Sequence, residues 1–160
     1  MHGSYKTSGA SVLLNAIMTT DIEPVRFDTK IAVLLRDDLE VWQRLNVTAF
    51  LVSGIGRKAP EVIGEPYADA DETEYLSMFR QPVLVFEGSK DALTKSHERA
   101  LARELPLSIF TIDLFSTNND RDNRAAVRAV SRDKLDLVGL AVYGPRSAVD
   151  KVTKGAHMHP

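Results

Sequence analysis

The chain has 160 residues, 44% of them hydrophobic and 26% charged, with a net charge of −2 at pH 7. That is the composition of one soluble domain, long enough to bury roughly two thirds of its unfolded surface. The near-neutral balance excludes a global attraction for nucleic acid, and the lack of cysteine excludes disulfides, thiolate metal sites and cysteine nucleophiles.

Met1 to about Phe27 reads as a weakly ordered lead-in, with Met18 as an alternative start and Pro24 marking the entry to the fold. It fits a secretory signal poorly, and no apolar run approaches the roughly 20 residues of a membrane span. A cytoplasmic protein without membrane contact is expected, with a single domain over residues 28–160.

The first strand runs from Lys30 to Arg36, and its unbroken apolar run from Ile31 to Leu35 predicts a central strand covered on both faces. A helix follows, with Asp37 at its N-cap, Glu40 three residues on and Asp38 in the first turn. Val41, Leu45, Thr48, Val52 and Ile55 form its predicted buried stripe, widened by Trp42 and Ala49. Val47, Phe50 and Leu51 fall on other faces, so the helix should pack on more than one side, against the next segment or a second subunit. Gly54 and Gly56 offer C-caps.

Arg57 to Gln81 is irregular, and Tyr67 to Tyr75 reads as a small hairpin. Asp69, Asp71 and Glu74 lack the glycine and distal glutamate of a calcium loop. The second strand is Pro82 to Glu87, followed by a helix from about Lys90 to Glu104 that buries Ala92, Leu93, Ser96, Ala100, Leu101 and Leu105. His97 touches that face and reads as a hydrogen-bonded packing residue. Leu107 to Ile112 is the third strand, and a loop rich in capping residues leads to a helix from about Arg121 to Val130. The fourth strand lies within Asp133 to Tyr143. Pro145 opens a short helix from Arg146 to Lys154, and the closing AHMHP reads as a short edge strand. Strands alternating with helices predict a three-layer α/β/α sandwich.

The segments RDDLEVWQRLNVTAFLVSGI, GEPYADADETEYLSMFRQPVLVF, NRAAV and DLVGLAVYGPRSAVDKVTKG resemble the bacterial domain-of-unknown-function family two thousand. That family is grouped with the type-two peptidyl-tRNA hydrolase-like superfamily. The resemblance covers Asp28 to Pro160 and implies an α/β/α sandwich around a four-stranded mixed sheet. Type-two peptidyl-tRNA hydrolases carry an arginine and an Asp-Leu pair after the first strand, which Arg36, Asp38 and Leu39 match. Their lysine falls at Leu45 or Asn46, their glutamine at Ala49 or Phe50 and their histidine at Val52 or Ser53. Their later Asp-Ala-Gly loop has Asp113 as its counterpart. The resemblance therefore implies a retained scaffold whose hydrolase chemistry is lost or replaced.

The expected function is binding of a small polar ligand or a partner beside Arg36, Trp42, Asn46, Thr117 and Asn119, because these segments follow strands and are polar between apolar elements. Arg36 suits a carboxylate or phosphate, although the acids around it oppose an anion. The competing reading has Asp37 capping the helix and Arg36 paired with Asp38 or Glu40. If the protein is an enzyme, it is a hydrolase acting on an ester such as peptidyl-tRNA, with Asp38 or Asp113 as base. A homodimer joined through Phe50 and Leu51 is the remaining alternative. Arg121, Arg124, Arg128, Arg146, Lys151 and Lys154 give RNA weak support, without aromatic residues for stacking. His157 and His159 would share a strand face but lack a third ligand, so no metal is expected. Neither a phosphate-binding glycine loop nor a GxSxG or HExxH motif is present, and no cofactor is implied.

Overall fold

A computed structural model describes residues 23–160; most of the expected N-terminal lead-in, through residue 22, lies outside them. The first strand, β1 (Thr29–Arg36), is buried on both faces, as its apolar run requires. It pairs antiparallel with β6 (Leu137–Pro145) on one side and parallel with β4 (Val83–Gly88) on the other. β5 (Leu107–Thr111) extends the sheet beyond β6. The sheet is mixed but has five strands, not the four expected: β7 (His157–Met158) pairs antiparallel with β4 through Phe86–Met158 and Glu87–His157. The backbone of His159 continues this pairing, donating to the Val85 carbonyl at 3.2 Å. The fifth strand is the short edge strand expected at AHMHP, whereas the count of four came from the family resemblance; it is held by its backbone bonds and by the contact of His157 with Glu87.

Helices cover both faces. Helix α1 (Val41–Lys58) packs with Ile31, Val33, Leu35 and Phe110 on one side. Helices α2 (Lys90–Ala102) and α4 (Arg146–Val152) pack with Ala32, Leu34, Leu140 and Val142 on the other. Helix α3 (Asp120–Arg128) follows a short 3-10 turn at Ile112–Ser116 and has no buried residue. The expected hairpin is present as a separate two-stranded ribbon, β2 (Tyr67–Ala68) and β3 (Glu74–Tyr75).

Three expectations for α1 are corrected. Its N-cap is Glu40, not Asp37, in a capping box with Gln43, whose Oε1 accepts from the Glu40 N–H at 2.9 Å. The chain first makes a turn there, with Asp37 N–H donating to the Gly88 carbonyl at 2.9 Å and Leu39 N–H to Arg36 at 3.3 Å. Next, the helix runs through Gly54 and Gly56 to a C-cap at Ala59. A Cβ at either position would meet only ordinary contacts, Ser108 at 3.4 Å for Gly54, and Ile63 and Phe79 at 3.5 and 3.6 Å for Gly56. Finally, the buried face is Val47, Leu51 and Ile55, whereas Val41 and Leu45 are 73% and 69% exposed. The helix sits over β5, β6 and β1, leaving Val83 and Val85 of β4 half-covered on this face. A stripe centred one position over faces the uncovered half of the sheet.

On the opposite face Leu93, Ser96, His97 and Ala100 of α2 are buried. The Ser96 hydroxyl donates to the Val152 carbonyl at 2.7 Å, fixing α2 to α4. Leu101, expected inside, is 41% exposed. His97 makes no side-chain hydrogen bond to the described residues, and burial lowers its pKa, with Arg132 adding to the effect and Glu98 opposing it. The native state thus takes up a proton less readily than the unfolded chain. Stability should fall as pH drops through the unfolded histidine value of about 6.5. Urea melts at pH 7 and pH 5.5 should register that loss in the wild type and a smaller one in His97→Gln.

Candidate ligand-binding cleft

Because α1 covers only part of the sheet, a concavity of about 750 Å³ opens between the helix and the β4–β7 edge. Leu35, Leu39 and Val85 form its apolar floor, and Val41, Leu45 and Ala49 its helical wall. Arg44, Thr48 and His159 supply polar groups around this surface. Large apolar concavities with a few convergent polar groups are the usual form of small-molecule sites.

Beside the cleft lies a charge cluster anchored on Glu87, the last side chain of the apolar strand β4 and a buried one. Arg44 donates to Glu87 Oε2 through Nη1, to the Asp37 carbonyl through Nη2 at 2.8 Å and to the Leu39 carbonyl through Nε at 3.0 Å. His157 Nε2 lies 3.0 Å from the other Glu87 oxygen, Oε1. The hydrogen bond from Arg44 holds the Glu87 carboxyl below its ordinary pKa, against the opposing effect of burial and with help from His157. Arg44 therefore ties α1, the turn after β1 and the end of β4 together, while His157 ties β7 to the same carboxylate. Three of the five Arg44 N–H donors go to protein partners, which fixes Arg44 as part of the cleft wall.

The sequence-predicted candidates lie outside this cleft's lining. Arg36 borders a separate polar depression of about 340 Å³ with Asp37, Asp38, Lys90 and Asp136. Its Nε donates to Asp38 at 2.6 Å and its Nη1 to Asp136 at 2.8 Å, and Lys90 approaches Asp136 at 3.2 Å. Burial works against the Arg36 charge, but these two carboxylates outweigh it and raise its pKa. The hydrogen bond from Arg36 lowers the Asp38 pKa, leaving this candidate base a weak proton acceptor.

Trp42 donates its indole N–H to Glu40 at 2.8 Å and packs edge-on against Phe115, with ring centroids 5.8 Å apart. Asn46 is exposed on α1, and Asp113 is exposed in the turn after β5. The Thr117 hydroxyl bonds to the Leu114 carbonyl at 3.0 Å and to Asn123. Asn119 caps α3, its side chain accepting from the Asp122 N–H at 2.9 Å. Arg44 and Glu87 were not singled out from sequence. The available signal was Glu87 itself, since a carboxylate closing a strand that reads as buried needs a charged partner.

Among the described residues that line the cleft, Thr48 has the only side-chain hydroxyl, which donates to the Arg44 carbonyl of its own helix at 2.7 Å.

No helix among the described residues is long and apolar enough to cross a membrane. No curated protein matches the chain. Among the solved structures it is similar to Atu0240 of Agrobacterium tumefaciens strain C58, a protein of unknown function, at 47% identity and a TM-score of 0.82. That alignment covers 84% of this chain and all of the other. Residues 29–160 match the family model described as protein of unknown function DUF2000, and the chain belongs to that family.

Proposed function

We propose that this protein is a cytoplasmic binder of a small amphipathic molecule, held in the cleft between α1 and β4. One observation carries the reading: apolar side chains that an amphipathic helix ordinarily buries, Val41 and Leu45, stand open beside an uncovered strand and a fixed charge cluster. The ligand's apolar body would lie along Leu39, Leu45, Ala49 and Val85, with a hydrogen-bonding group toward Thr48 or His159. Arg36 supports the turn at the rim through Asp38 and does not reach the ligand.

The peptidyl-tRNA hydrolase-like placement of the fold belongs to this reading. It is supported by Arg36, Asp38 and Leu39 at the exit of β1 and by the helix that follows them. The positions where those hydrolases carry lysine and glutamine fall at Leu45 or Asn46 and at Ala49 or Phe50, and in the ungapped alignment Leu45 and Ala49 line the apolar wall. The same location with the polar groups removed favours binding over ester hydrolysis.

Anilinonaphthalene sulfonate, an aromatic amphiphile, is the probe for a test by fluorescence titration. A single class of site is expected, weakened roughly ten-fold or more by Ala49→Trp, which fills the cleft, and unchanged in Arg36→Ala. Equal affinity in wild type and Ala49→Trp would remove the cleft as the site. Loss in Arg36→Ala alone would move it to the neighbouring depression.

A further inference from the structure

The ribbon β2–β3 and the groove beside α3 play no part in the cleft, and the one is acidic while the other carries Arg124 and Arg128. Every residue from Glu65 to Leu76 is exposed, so the described residues offer the ribbon no covering surface. It nonetheless shows apolar side chains: Tyr75 is 53% exposed, Met78 55% and Leu76 87%. Its tip is internally ordered. Asp69 Oδ1 accepts from the backbone N–H groups of Asp71 and Thr73, and Oδ2 accepts from the Tyr75 hydroxyl at 2.9 Å. An isolated two-stranded hairpin is marginal in water, and one built this carefully around exposed aromatic and aliphatic groups calls for a partner surface.

The charge of the arm specifies that partner. Glu65, Asp69, Asp71, Glu72 and Glu74 lie between Gly64 and Met78 with no basic residue among them. Two such arms repel, so edge-to-edge pairing between ribbons is disfavoured. A complementary surface exists on every copy of the chain. Between α1 and α3 lies a groove of about 700 Å³, with Phe50, Leu114 and Val127 as apolar lining and Arg124 and Arg128 among its charged residues. Arg124 pairs with Asp120 inside α3, an exposed i,i+4 pair of the kind that contributes little and exchanges readily. Arg128 has no carboxylate partner among the described residues. Phe50, 54% exposed, rests edge-on against Phe110 and presents its other side to the groove.

We propose that the acidic arm of one copy, residues 64–78, docks into the arginine-bearing α1–α3 groove of a second copy. Because both halves of the contact occur on each chain, two copies can exchange arms about a two-fold axis and close the assembly with two equivalent contacts. Tyr75 and Leu76 supply the apolar anchor at Phe50 and Val127. The carboxylates meeting Arg124 and Arg128 set orientation and speed encounter.

Sedimentation equilibrium of the full chain tests this with three proteins. The wild type should be a dimer whose dissociation constant rises with salt. An arm reversal, Asp71→Lys with Glu74→Lys, and a groove reversal, Arg124→Glu with Arg128→Glu, should each weaken self-association by roughly ten-fold or more. Mixing the two variants should restore a dimer, since each contact in the mixed pair is again complementary. All altered positions are at the surface, and circular dichroism checks that each variant is folded. A wild type that stays monomeric at the highest attainable concentration would overturn the proposal. So would a dimer indifferent to both reversals, or a mixture that fails to re-associate. Retention of RNA by monomeric wild type, lost in the groove reversal, would assign the arginines to nucleic acid and overturn it too.

Discussion

A methyl group added at Gly139 is expected to lower stability by about 1–3 kcal/mol, the usual cost of overpacking a filled core. At roughly 2–4 °C per kcal/mol for a chain of this size, calorimetry should record a drop of several degrees in Tm. Gly139 lies in β6 directly beneath α1, and a Cβ there would stand 2.6 Å from Val47 Cγ1, 3.1 Å from Leu51 Cδ1 and 3.4 Å from Leu35 Cδ2. Val47 cannot swing aside easily, because a β-branched side chain in a helix has one strongly preferred χ1 rotamer. The helix itself must lift. Since α1 also forms the cleft wall, Gly139→Ala should alter probe binding together with stability. Val47→Ala placed on top of Gly139→Ala removes the clashing methyl and should recover part of the loss, giving a favourable coupling in the double-mutant cycle. Additive losses would mean that the strand and not the helix absorbs the added group.

The centrality of β1, the hairpin at Tyr67–Tyr75 and the helix-strand alternation were legible in the sequence because each rests on a local signal. Ile31 to Leu35 has no polar residue to point outward, and the acidic run ADADETE reads as the tip of a hairpin. The buried face of α1 was not legible, because the helix is apolar nearly all round and periodicity alone cannot choose among its faces. Gly139, roughly ninety residues later in sequence order, makes that choice by admitting Val47 and Leu51 close to the sheet. Once they are inside, Val41 and Leu45 must face the uncovered half. The cleft was illegible for the same reason. Arg36 stands where ligands of α/β sheets commonly bind, yet Asp136, a hundred positions away, already occupies its guanidinium together with Asp38. A cleft composed of a helix flank, a strand face and a short tail strand has no contiguous motif to announce it.

Replacing Arg44 with methionine should destabilise the protein far more at pH 7 than at pH 4. The hydrogen bond from Arg44 lowers the folded-state pKa of Glu87 below its unfolded value of about 4.5. A depressed carboxylate pKa contributes stability that is present above the unfolded value and disappears as pH falls through the folded one. In Arg44→Met that contribution is lost, and Glu87 is left as a buried carboxylate with only His157 beside it. The gap between wild type and variant should therefore be widest above about pH 5 and narrow once Glu87 is protonated in both states. The methionine keeps most of the side-chain bulk, so a packing defect alone would give a gap that does not change with pH. Urea melts at both pH values distinguish the two causes, and Lys95→Met serves as the reference for an exposed pair, worth under about 1 kcal/mol. Arg44→Met should also loosen β7, because the carboxylate that receives His157 is no longer fixed from the helix side. Faster hydrogen exchange at His157–His159 than at the centre of β4 would register that release, and with it the loss of the cleft's outer wall. Protection unchanged at β7, with the stability gap intact, would place the role of Arg44 in the Asp37 and Leu39 carbonyls instead.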